Sequence, residues 1–133
     1  MNNMSLQSQL AMNPKHLFLM DGIGALVSVF LLGVVLVRFS ELVGLDEGTL
    51  LLLASFPCIF AGYDFLCFFF VSESYSRFII IIVVANSLYC LLSIGLAFYH
   101  SSTLTLIGWS YILVEVLVIL TLSFVEYKVA RSI

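Results

Sequence analysis

Charge is what this sequence lacks most. Only 10% of its 133 residues are Asp, Glu, Lys or Arg, 5 of them basic and 8 acidic, whereas a soluble domain carries about a quarter. So few polar groups cannot cover a surface for water, and a mean hydropathy of +1.19 agrees that the outer solvent is lipid. The basic residues are scattered and the net charge is −3. No basic run exists to attract nucleic acid, which is excluded as a partner. Cysteine is limited to Cys58, Cys67 and Cys90, with no C-x-x-C pair, so neither a redox pair nor a thiolate metal site is expected. Those thiols read as apolar packing. The two histidines, His16 and His100, fall at opposite ends of apolar segments and cannot share one haem. No cofactor and no metal are expected.

What is present is apolar length. A bilayer is crossed by about 20 apolar residues at 1.5 Å rise each, and four windows qualify: 17–37, 49–71, 78–99 and 104–124. The first is long and has no small-residue cleavage site, so it reads as a retained helix. The links "SESYSR" (72–77) and "HSST" (100–103) are short enough to make sequential helices antiparallel neighbours. The expected fold is therefore all-α: a polytopic membrane protein, an antiparallel four-transmembrane-helix bundle forming one domain over residues 1–133. Residues 1–13 read as a mobile polar N-terminus, and Asn13-Pro14 as a helix start. Asp46 and Ser74 or Ser76 are candidate caps for the second and third helices. Lys15, Arg77, Lys128 and Arg131 gather at one side and Arg38 alone at the other. Basic residues accumulate on the cytoplasmic side, so both termini are expected in the cytoplasm, with the chain in the cell (inner) membrane.

Against that background the polar residues inside the spans stand out. The stretch "PCIFAGYDFLCFFF" (57–70) sets Asp64 between aromatic residues with no cation nearby. Counted from the cytoplasmic edge at 1.5 Å per residue, Asp21 lies about 6 Å deep, Asp64 about 10 Å, Asn86 about 12 Å and Glu115 about 14 Å. Each helix thus contributes one strongly polar side chain, and all four fall in the same half. Residues seven apart share a helix face, which aligns Asp21 with Ser28, Pro57 with Asp64, Asn86 with Ser93 and Gly108 with Glu115. Small residues favour close helix contact in lipid, so those faces should point inward, with Gly24/Ser28 and Ser93/Ala97 as contact pairs. Pro57 is expected to kink the second helix, freeing a carbonyl one turn earlier.

The candidate site is one intramembrane polar cluster of Asp64, Glu115, Asn86, Asp21 and Tyr89. As hydrogen-bonded glue, the acids would bind their helices together, with Asn86 and Tyr89 as natural partners. As a site, they would take up a proton or cation, because ionisable groups in a membrane are costly and mark function by default. The structural reading is favoured for Asp21, the functional one by a little for Asp64 and Glu115.

"DGIGALVS" (21–28), "PCIFAGYD" (57–64) and "ANSLYC" (85–90) resemble small, uncharacterised four-helix membrane proteins of bacteria. That resemblance covers nearly all of the spanning region and implies the fold without an activity. Small multidrug-resistance transporters share the size and helix number, but their essential Glu is in helix one, whereas here helix one carries Asp21 and the central Glu is Glu115 in helix four. The glutathione-using four-helix membrane enzymes have an arginine-rich motif in helix two that this chain lacks. The leading expectation is a non-enzymatic accessory or interaction subunit. The alternative is a small proton- or cation-coupled transporter using the intramembrane acidic cluster. The expected partners are the lipid bilayer and a second copy or another membrane protein.

Overall fold

The computed structural model describes residues 15–132, all of whose regular elements are helical. The polar N-terminus and the Asn13-Pro14 helix start lie outside the described residues. Helix α1 runs over Lys15–Phe30 and continues without a break as a π-helical stretch, Leu31–Leu36. A single turn, α2 (Ser40–Val43), ends at Gly44, whose φ of 89° suits glycine. Helices α3 (Glu47–Phe70), α4 (Tyr75–Tyr99) and α5 (Leu106–Ser132) complete the chain. Four helices, of which α1 counts with its π-helical end, are long and apolar enough to cross a membrane.

The α3 start is capped as its sequence suggests. The Asp46 carboxylate accepts bonds from the Thr49 amide at 3.2 Å and the Thr49 hydroxyl at 2.7 Å. Those two donors hold the exposed Asp46 carboxyl below its usual range. Neither serine caps α4. Ser74 precedes it in a left-handed conformation with no capping bond, and Ser76 instead donates to the Ala130 carbonyl at 2.9 Å, tying the start of α4 to the end of α5. Pro57 sits buried inside a continuous α3. The fourth apolar window stops at 124, but α5 runs on to Ser132, carrying Glu126 into the bundle.

The helices pack as two pairs, α1 against α3 and α4 against α5, and the pairs approach each other less closely. Two apolar clusters hold them. One, near the α1–α3 and α4–α5 connections, includes Leu32, Leu53, Cys90 and Ile112. The other, near the ends of the chain, includes Leu17, Phe18, Ile79 and Val129. At the first end the chain is locked across the pairs. Thr103 Oγ donates to the Gly44 carbonyl at 2.9 Å, and the Thr105 amide and hydroxyl donate to the Val43 carbonyl at 3.1 and 2.9 Å. The Thr105 hydroxyl also reaches the Leu42 carbonyl. Gly108 makes this lock possible, since a methyl group there would overlap the Val43 carbonyl oxygen and the Leu104 side chain. At this end too, His100 Nε2 lies 3.8 Å from the Asp46 carboxylate.

Candidate functional site

Between the two apolar clusters the bundle interior is polar, and its side chains fall into two centres rather than one. The first is built from all four long helices. Asp21 of α1 accepts a bond from the Asn86 amide of α4 at 3.1 Å. Asp64 of α3 and Glu126 of α5 are both 0% exposed, and each turns its carboxyl toward that of Asp21. The Asn86 amide also faces Glu126. Gly22 brings the α1 backbone this near, because a Cβ there would stand 3.2 Å from the Asp64 Cβ and the Phe65 ring.

The second centre belongs to Glu115 of α5. Its carboxyl accepts bonds from the Tyr89 hydroxyl at 3.3 Å and the Tyr111 hydroxyl at 3.2 Å, and the Ser28 hydroxyl also faces it. Tyr89 is held in turn by the rings of Phe56 and Phe60, at 6.2 and 6.1 Å. Glu115 and Glu126 are eleven residues apart on one helix, about 16 Å along its axis. That separation, with different partners, is why the expected single cluster divides: Asp21, Asp64 and Asn86 come together, while Tyr89 and Glu115 form their own group.

A cavity of 310 Å³ joins the two. It touches Asp21 and Asn86 at one end and Tyr89, Tyr111 and Glu115 at the other. Val27 of α1 and Val114 and Val118 of α5 line it and are themselves exposed, so it opens sideways between the first and last helices. A smaller cavity of 190 Å³ lies beyond the Asp21–Asn86 pair and is bordered by Asp64 and Tyr63. The hydrogen-bonded pair, together with Phe60, is the wall common to both.

No known family, curated protein or solved structure matches this chain. Its chemistry follows from its own side chains. Among the described residues no lysine, arginine or histidine pairs with any of these four acids. Nor, among them, are three or more Asp, Glu, His or Cys side chains disposed to hold a metal ion. What the interior can do is exchange protons and offer negative charge to a cation entering an apolar cleft.

Glu126 and Tyr111 were not singled out from the sequence. A signal existed for both. Tyr111 precedes Glu115 by four residues and Glu126 follows it by eleven, about one and three turns, so all three share a face of α5. Gly24, by contrast, makes no close helix contact: nothing lies within 4 Å of where its Cβ would be. It borders the cavity instead.

Proposed function

We propose that this chain is a small, non-enzymatic, proton- or cation-coupled carrier of the cell membrane, its acids being the coupling groups. The observation that carries this reading is the cavity with carboxyls at both ends and no protein cation beside them. Glue needs each acid to meet a donor, as Glu115 does. Asp64 and Glu126 meet none among the described residues, a costly arrangement that packing alone does not explain. The sideways opening gives a solute access from the bilayer, and Glu115, presented by two phenol hydroxyls, lines the cleft it opens into. In the cell both termini face the cytoplasm, on the Lys/Arg distribution at the helix ends.

The test uses the purified chain in liposomes loaded with a pH-sensitive dye. A cation gradient should drive proton movement, and Glu115→Gln should abolish it while the protein still elutes as a single folded species. Inert liposomes would refute the carrier.

The same sideways opening also suits the accessory-subunit reading, with a helix of another membrane protein seated between α1 and α5. That reading expects a stoichiometric membrane partner in mild detergent, displaced by Val118→Trp in the cleft, and inactive liposomes from the chain alone.

A further inference from the structure

The first centre poses a problem of hydrogen-bond supply. An ionised carboxylate only accepts. Asp21, Asp64 and Glu126 bring six acceptor oxygens together, and the donor within reach is the Asn86 amide, which bonds Asp21 and whose second N–H faces Glu126 without completing a hydrogen bond. Neither oxygen of Asp64 and neither oxygen of Glu126 has a donor among the described residues, though both side chains are fully buried and both are aimed at Asp21. Their remaining neighbours do not change the count. Tyr63 and Cys67 flank Asp64 on its own helix, but the Tyr63 hydroxyl is committed to the Phe78 carbonyl at 3.1 Å, and the Cys67 thiol bonds neither Asp64 oxygen.

We infer that Asp21, Asp64 and Glu126 form a proton-exchange site holding two protons among three carboxyls. Asp64 and Glu126 each carry one and donate it to Asp21, which accepts both along with the Asn86 amide bond. Every buried oxygen pair then has a bonding partner, and the group carries one negative charge instead of three. The ligand is the proton rather than a metal ion, because no set of side chains among the described residues is disposed to hold a metal. Exchange is simple in balance. As the O–H bond of Asp64 breaks, one forms on Asp21, the negative charge passes to Asp64, and a proton finally released goes to solvent. The two cavities give the site its two approaches, one through the Tyr63 and Asp64 side, the other through the larger cleft that leads to Glu115. This inference rests on the carrier reading only for its purpose, naming the proton as the coupling ion and Glu126 as a member of the site.

Infrared spectroscopy of the full chain in lipid nanodiscs tests it without any transport assay. The expected result is a protonated-carboxyl carbonyl band that disappears reversibly as pH is raised. Asp64→Asn and Glu126→Gln should each remove part of it, and Glu115→Gln should leave those parts in place. Hydrophobic carbodiimide should label Asp64 or Glu126 in the unmodified chain, with labelling that falls as pH rises, so the result stands even where a variant does not fold. Absence of both the band and the labelling overturns the inference. So does a band that is unchanged at every pH at which the protein stays folded, since acids that never exchange are structural. A titrating band with inert liposomes keeps the site and removes the carrier; proton movement with neither the band nor the labelling does the reverse.

Discussion

Replacing Gly108 by alanine should cost far more than replacing Gly24 by alanine, although both are glycines of spanning helices. The added methyl at 108 overlaps the Val43 carbonyl oxygen and the Leu104 side chain, whereas at 24 it meets no atom within 4 Å. To make room, Val43 must retreat from α5, and its carbonyl is what the Thr105 amide and hydroxyl bond, with Leu42 beside it. The Thr105 amide and its single O–H supply two such bonds, each contributing about 0.5–1.5 kcal/mol net, and crowding a packed contact costs about 1–3 kcal/mol. Both variants gain similar helix propensity, about 1 kcal/mol. Gly108→Ala should therefore be about 2–6 kcal/mol less stable than Gly24→Ala. Reversible unfolding in mixed detergent micelles, followed by helical circular dichroism, measures the difference. Equal stability of the two variants would show that the lock between the α2 turn and α5 contributes nothing.

Three other outcomes are expected. Tyr89→Phe and Tyr111→Phe should each destabilise by about 1 kcal/mol in the same assay, and the double variant by more than their sum, because Glu115 then loses both phenol donors. The Asp46 carboxyl is held below its usual range by Thr49, so its cap is at full strength above that range and is lost as pH falls through the lowered value. Protection of the Thr49 amide, its exchange measured against the intrinsic rate at the same pH, should fall at acid pH, and Asp46→Asn, which still caps, should remove that dependence. A reporter fused after Ile133 should be cytoplasmic, and a cysteine at the exposed Ser101 should react with impermeant reagents from outside; the opposite pattern would invert the orientation.

The four long helices were legible because lipid leaves the backbone no alternative: about 20 apolar residues in a row must bond internally. The inward direction of Asp21, Asp64 and Asn86 was legible for a related reason, since a polar side chain in a span has only the bundle to turn to. The partnerships Asn86 with Asp21 and Tyr89 with Glu115 follow from reach between neighbouring helices. Glu126 was not legible by composition. It stands in "SFVEYKVARS", where polar residues thicken as they do at a membrane edge, and only the continuation of α5 to Ser132 against Phe18 and Ile79 of other helices encloses that end of the bundle. Gly24 shows the reverse error, because a small residue permits a contact without requiring one. The π-helical stretch Leu31–Leu36 left no mark in the sequence that separates it from ordinary helix.

The pairing of the helices gives the acids a mechanical meaning. Asp21 and Asp64 ride on one helical hairpin, Asn86, Glu115 and Glu126 on the other, and close backbone packing exists within each hairpin rather than across the seam. At the end nearer residues 71–74 the seam is stitched chiefly by side chains, among them the Asn86–Asp21 bond. Like charges a few ångströms apart repel by several kcal/mol at an effective dielectric near 20. A proton removed here would therefore act as a wedge, prising the two hairpins apart at one end while the Val43–Thr105 lock serves as the fulcrum at the other.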